Sequence, residues 1–161
     1  MTEASIVAVI GKDRVIAGHQ LVCPNVNHLF AGQQDMISVS KTGIVIEYEV
    51  KISRADFKRD ARKGKKFRID NVHLWPGRVP NQIYYVVPAG LIQVPEIPNW
   101  AGLMWVEMSL DPSVQFLVLK KKAPMIHKYQ HDLQKIHKKV VTLYQQRQFL
   151  GCCLLTYKNR L

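Results

Sequence analysis

Acidic residues are scarce in this chain: 12 Asp and Glu stand against 23 Lys and Arg in 161 residues, a formal charge of +11. An imbalance of that size bears on partners rather than on fold, and it points to a polyanion, nucleic acid first and an anionic membrane surface second. Long apolar runs are missing. None approaches the ~20 residues that span a bilayer, so no membrane partner is expected. The opening stretch, "MTEASIVAVIGKDRV", has an acid and no basic n-region, and does not read as a signal peptide. Cysteine is rare as well. Cys23, Cys152 and Cys153 are odd in number and include an adjacent pair, which makes no disulfide framework. A reducing, cytoplasmic setting is the expectation. Repeats, low-complexity tracts and linkers are also lacking, so residues 1–161 read as a single domain large enough to bury a core.

What is present reads as an α/β domain, a mixed central sheet flanked by helices. Thr2 is placed to cap a short helix running through Ile6 to Ile10, with Glu3 in its first turn, where negative charge is favoured. "HQLVCPNV" reads as a short strand ended by Pro24. "DMISVS" and "GIVIEYEVKI" are strands joined by Lys41-Thr42-Gly43, a three-residue hairpin loop with glycine at its end. "SRAD", Ser53 to Asp56, has the capping-box spacing and starts a helix expected to run to about Lys63 and end at Gly64. A loop rich in His, Trp and Pro follows. "QIYYVV", "GLMWVEM" and "VQFLVLK" read as three more strands. The last element is expected to open at Pro124 and to form an amphipathic helix over about 124–150. Its stripe is Ile126, Tyr129, Leu133, Ile136, Val140 and Leu143.

The chemistry concentrates in "IVIEYEVKI". Residues two apart share a strand face, so Val45, Glu47, Glu49 and Lys51 lie on one side, and Ile44, Ile46, Tyr48, Val50 and Ile52 on the other. Charges set into a strand are expensive to bury unless they are paired or bind a metal. With Thr42 at the centre of the hairpin loop, residues whose numbers sum to 84 stand opposite each other, and Asp35 faces Glu49. Opposed residues have Cβ atoms roughly 4.5–5.5 Å apart, close enough for two carboxylates to repel unless a cation lies between them. Carboxylate and carbonyl oxygens completed by water suit Mg²⁺ or Mn²⁺. Lys51 is one side-chain step further, placed to hold a water or a phosphate oxygen. Glu47 reads as a second ligand or a solvated neighbour, with the neighbour favoured.

Asp35, followed fourteen residues on by Glu49-Val50-Lys51, resembles the site of the metal-dependent PD-(D/E)XK nuclease superfamily. The stretch "QQDMISVSKTGIVIEYEVKISRADFKRD" is similar to small single-domain members from phages and bacterial DNA repair. In those, an aspartate strand, a hairpin, the ExK strand and an S-x-x-D-F helix start come in this order. "YYVVPAGLI" and "AGLMWVE" extend the likeness to roughly residues 1–125. Gln34 stands where the superfamily signature has its proline. The resemblance implies a restriction-endonuclease-like core and hydrolysis of DNA phosphodiesters. Metal would be held by Asp35, Glu49, the carbonyl of Val50 and, from the first helix, Glu3. Lys51 would orient or help deprotonate the attacking water. A bacterial or phage-infected cell is the implied setting.

Asp56-Phe57-Lys58 repeats the acid-x-Lys pattern, but Asp56 is better read as the acid of the capping box. Arg54, Lys58 and Arg62 form a stripe at helical spacing, continued by Lys65, Lys66 and Arg68; with few acids to offset them, contacts along a DNA backbone are expected. His73 and Trp75 lie in a loop that offers rings to bases, although Trp75 serves equally well as a core anchor. His127, His131 and His137 match no zinc pattern and read as surface histidines on a basic helix, and the cysteines as small apolar residues. Two other readings stay open: a non-catalytic nucleic-acid-binding module on the same fold, and a phage or mobile-element interaction protein. A homodimer through the terminal helix would suit an enzyme that cuts two strands.

Overall fold

The computed structural model describes residues 1–27, 29–30, 32–60, 65–111 and 113–147, and within them all side chains except those of residues 65, 144, 146 and 147. Helix α1 (Glu3–Ile16) leads into β1 (Leu21–Asn27), β2 (Gln33–Val39) and β3 (Val45–Val50). Two short helices follow, α2 (Arg54–Asp60) and α3 (Lys65–Asp70). Then come β4 (Gln82–Pro88), β5 (Gly102–Met108), β6 (Gln115–Lys121) and α4 (Leu133–Arg147). The six strands lie in sequence order in one sheet. β1, β2 and β3 are antiparallel neighbours, β3–β4 and β4–β5 are parallel, and β6 returns antiparallel to β5. The fold is therefore α/β with a mixed sheet flanked by helices.

The hairpin register follows the expected sum. Met36 faces Tyr48, Ile37 faces Glu47, Ser38 faces Ile46 and Val39 faces Val45. The Ser40 N–H closes on the Ile44 carbonyl at 2.9 Å, and Gly43 supplies the positive φ of 81° that the turn requires. One sheet face is covered by α1, whose Ile6 and Ile10 pack on Met36, Ile46, Tyr48, Val50, Tyr84, Val86, Met104 and Val106. The rings of Tyr48 and Tyr84 stack with centroids 6.1 Å apart. A β-carbon on Gly102 would lie 2.5 Å from the Tyr84 ring, so β5 needs glycine there.

The other face is covered in two parts. Ile136 and Val140 of α4 pack on Leu21, Cys23, Ile37, Val39 and Val45. Ile92, Ile97 and Ala101, with Phe57 of α2 and Trp100, pack on Tyr85, Val87 and Leu103. Between the two parts runs a strip that carries the charged residues of β3.

Several expectations need correcting. α1 is longer than the short helix the sequence offered and continues through "GKDRV" to Ile16. Its cap is Thr2, in a reciprocal pair with Ser5. β1 does not stop at Pro24, because an edge strand tolerates the missing N–H. α3 lies where a basic helix was expected to have ended, while residues 61–64, including Arg62, Lys63 and Gly64, fall outside the described residues.

The closing helix starts at Leu133, not Pro124. The preceding segment spends its peptide groups on Asn81: the side-chain amide donates to the Tyr129 and His127 carbonyls at 2.9 and 3.3 Å, and the Ile126 N–H donates to the Asn81 carbonyl at 2.9 Å. Asp132 then begins the helix, its carboxylate accepting from the Lys135 N–H at 3.0 Å. His127 and His131 thus precede the helix and are not surface residues on it; His131 is buried. Cys23 is buried as expected, and Cys152 and Cys153 lie outside the described residues. Among the described residues no helix is long and apolar enough to cross a membrane.

Candidate active site

Asp35, Glu49 and Lys51 come together at the end of the β2–β3 hairpin, on the strip between the two packed parts. Asp35 Oδ2 accepts the N–H of Val50 at 2.7 Å, which fixes its carboxylate against the strand that carries the other two residues. Lys51 Nζ donates to Glu49 Oε2 at 2.9 Å. Both Glu49 and Lys51 are buried, at 5% and 4% exposure, and so is Glu47 at 3%. The expectation that Glu47 is a solvated neighbour is wrong, because α3 and the turn after it cover this end of β3. Glu47 lines a small cleft with Arg68, Arg78, Ile69 and Val79.

A residue that sequence reasoning passed over completes the group. Asp60, the last residue of α2, is 3% exposed. Its Oδ2 accepts the Tyr85 hydroxyl at 2.7 Å, and its Oδ1 lies 3.7 Å from Lys51 Nζ. Phe57, one turn earlier, meets the Tyr85 ring edge-on with centroids 5.1 Å apart. α2 is thereby seated on β4 by an aromatic contact and holds a carboxylate against the lysine of β3. A second acid four residues after Asp56 was the available signal, hidden among basic neighbours.

The electrostatics separate the roles. Burial, then the Glu49 charge, push Asp35 up to about 6; the Val50 hydrogen bond and Lys51 act the other way, and Glu3 adds to the rise. Burial acts to lower the Lys51 amine, but Glu49 and Asp60 outweigh it and hold it above its ordinary value. Lys51 is therefore a fixed cation, suited to orienting and to stabilising negative charge rather than to taking up a proton. Burial and the Asp60 carboxylate drive the Tyr85 phenol far upward, so it stays a donor.

The donors that could hold a metal are hard oxygens: the Asp35 and Glu49 carboxylates and the Val50 carbonyl, with Glu3 exposed on the first turn of α1. Among the described residues no three His, Cys, Asp or Glu side chains form a ready metal-holding group. Mg²⁺ commonly takes one or two carboxylates and completes its shell with water and phosphate oxygens. Burial and the neighbouring Glu49 disfavour the ionised Asp35 carboxylate, and a cation held there would relieve that cost. The donor set fits.

The proposed nucleic-acid residues are distributed unevenly. The Arg54 guanidinium is occupied by Glu96 and by the Leu91 carbonyl, at 2.8 Å from the latter, so it ties α2 to the loop beyond β4. Lys58 is exposed on α2, and the exposed Lys66 lies on α3, 3.7 Å from Asp70. Arg68 borders the Glu47 cleft. His73 and Trp75 are exposed, so Trp75 is not a core anchor. Arg62 and the side chain of Lys65 lie outside the described residues.

This is the α/β class with a single mixed sheet, and its polar strip lies across the second and third strands. No protein-family model and no curated protein matches the chain. Among solved structures it is similar to a protein of unknown function from Silicibacter pomeroyi, with a TM-score of 0.62 and 17% sequence identity over 92% of this chain and 90% of that one. A likeness at that identity concerns the fold.

Proposed function

We propose that this chain is a metal-dependent nuclease of PD-(D/E)XK type that hydrolyses DNA phosphodiesters. The observation that carries the reading is the placement of Asp35 against the backbone of Glu49-Val50-Lys51, with the Val50 N–H at 2.7 Å and a buried lysine kept cationic alongside. Asp35, Glu49 and the Val50 carbonyl would hold Mg²⁺ or Mn²⁺, with Glu3 contributing from α1. When bound, the ion supplies a Lewis acid and a water of lowered pKa. Lys51 orients the scissile phosphate and stabilises the charge that develops on it. Asp60 and Tyr85 keep the Lys51 amine in place. The charge of +11 supplies the attraction that brings an anionic strand to the site.

One observation favours a second reading, a binding module that no longer cleaves. Lys51 is clasped by two buried carboxylates, and a lysine so engaged also serves as a structural ion pair.

Labelled single-stranded, duplex and branched DNA, incubated with Mg²⁺, Mn²⁺ or EDTA, separates the two. Metal-dependent cutting that Asp35→Asn and Lys51→Ala both abolish, with DNA binding retained, is the expected result. Binding without cutting, unchanged by either substitution, would sink the nuclease reading and leave the module.

A further inference from the structure

Three aromatic rings on the flank of the site are left in solvent. Phe67 of α3 is 65% exposed, Trp75 in the turn that follows is 48% exposed, and Tyr129 in the segment before α4 is 47% exposed. Two of them come from one run of turns, and the third, Tyr129, packs its ring against Gly77 at the end of that run, with ring atoms 3.7–3.9 Å from where a β-carbon would stand. Trp75 lies two residues before that glycine. Phe67 and Trp75 belong to one ribbon of consecutive turns. Asn71 donates to the Phe67 carbonyl from both its backbone and its side chain, at 3.1 and 2.8 Å. Leu74 donates to Asn71, and Trp75 to Val72, at 3.0 and 3.2 Å. Beneath the ribbon, Ile69 and Val79 are buried against Ile83. The rings are therefore presented on an ordered frame, which lowers the entropy lost when a ligand fixes them.

Their surroundings are cationic. Lys66, Arg78 and Lys128 are exposed next to the rings in sequence, and the acid among them, Asp70, is paired with Lys66. The platform also adjoins the site. Arg78 and Arg68 line the same cleft as Glu47, and Glu47 shares its strand face with Glu49, about 7 Å further along β3. Exposed rings interleaved with cations beside a phosphodiester-cleaving site have a specific chemical partner. Bases stack on the rings while the cations follow the phosphates, and only unpaired bases offer their faces.

We infer that Phe67, Trp75 and Tyr129 form a stacking platform for the unpaired bases of a single nucleic-acid strand, which makes the substrate single-stranded or locally melted rather than intact duplex. This rests on the nuclease reading for the role of the neighbouring site, but the binding itself does not depend on cleavage.

The test uses the full chain carrying Asp35→Asn, in EDTA, with a labelled 20-nucleotide oligo(dT) and a blunt duplex of equal length. Phe67→Ala, Trp75→Ala and Tyr129→Ala should each weaken binding of oligo(dT) roughly tenfold and change duplex binding less than twofold. Phe116→Ala, which removes an exposed ring from the β6 edge, should change neither. Oligo(dT) should quench tryptophan fluorescence, and Trp75→Phe should remove most of the quench while keeping much of the affinity. Equal losses on both ligands, no loss on either, or a wild-type chain that binds neither would overturn the inference. Ring-dependent binding without cleavage in the unsubstituted chain would leave the platform standing and defeat the nuclease. Cleavage indifferent to the three rings would do the reverse.

Discussion

Lys51 of the third strand and Asp60 of the helix that follows meet with 3.7 Å between amine and carboxylate, and both are almost wholly removed from solvent. The lysine has a nearer partner in Glu49, so Asp60 is not needed merely to neutralise it. Its second oxygen takes the Tyr85 hydroxyl, so one hydrogen bond and one ion pair tie the helix to the parallel strand β4 and to the site.

Asp60→Asn should therefore preserve the Tyr85 contact and fold well, yet release Lys51 from one of its two anchors. Single-turnover cleavage is expected to fall about 10- to 100-fold, as for other outer-shell partners, with KM changed less than about twofold. Tyr85→Phe removes the donor alone and should cost about 1–2 kcal/mol in denaturant melts. A parallel fall in stability and rate for Asp60→Asn would show a packing role instead.

Asp35 is held unfavourably in the absence of metal. Its folded pKa, about 6, lies above the ordinary carboxylate value of 3.8, so between those two pH values the unfolded chain releases a proton that the folded chain keeps. The stability associated with the protonated form is complete below pH 3.8 and is lost as pH rises through about 6. Asp35→Asn, whose amide oxygen can still accept the Val50 N–H, should remove that penalty. In EDTA at pH 8 the variant should melt a few degrees above wild type, and the gap should close near pH 4. Mg²⁺ should raise the melting temperature of wild type but not of the variant. A variant that melts lower than wild type at pH 8 would show that the Asp35 carboxylate is not held unfavourably.

The parts of this arrangement written in local sequence were legible. Alternation along β3 put Glu49 and Lys51 on one face, and the three-residue loop centred on Thr42 set the register that brings Asp35 to the same place. What was not legible depends on distant partners. Asp60 looks like one more charge on a basic helix until Phe57 seats that helix on Tyr85. The spacing of Ile126 and Tyr129 matches a helix, but Asn81, about 45 residues earlier, takes the peptide groups that a helix would need. Glu47 alternates like an outward residue, and it is buried in a cleft that residues from distant stretches, Arg68 and Ile69 of α3 among them, complete.

Asn81 is the clasp of that last segment and is 1% exposed. Its carbonyl and amide fix Ile126, His127 and Tyr129, while its Oδ1 accepts the Val45 N–H at 2.8 Å and its own N–H donates to the Val45 carbonyl at 2.9 Å. Asn81→Ala keeps the backbone bonds but strands the Val45 N–H and two carbonyls. A loss of about 3 kcal/mol is expected in urea melts, at roughly 1 kcal/mol per bond. Limited proteolysis should then cut within residues 124–132, where wild type resists. Wild-type stability in the variant would mean that water replaces the amide without cost.

One buried histidine, His131, and one half-buried, His19, should make the fold acid-sensitive. Burial, then His127, hold His131 down at about 4, in a site edged by the rings of Phe30, His127 and Tyr129. Burial, then Arg14, hold His19 down at about 4, where its Nδ1 pairs with Ser38 Oγ at 2.8 Å and Ser38 in turn with the Tyr48 hydroxyl at 3.1 Å. Each folded value lies below the ordinary 6.5, so the unfolded chain takes up protons first on acidification. The stability tied to the neutral rings is complete above pH 6.5 and drains away as pH falls toward 4. Asp35 works in the opposite direction over the lower part of this range, so Asp35→Asn is the background in which to measure it. Thermal melts there should fall by several degrees between pH 7 and pH 5, and the slope should lessen in His131→Gln and lessen again when His19→Gln is added. The substitutions themselves should lower the melting temperature at pH 7, because neither ring is replaced by one of equal shape. An unchanged slope in the double variant would assign the acid sensitivity elsewhere and leave both imidazoles as ordinary packing residues.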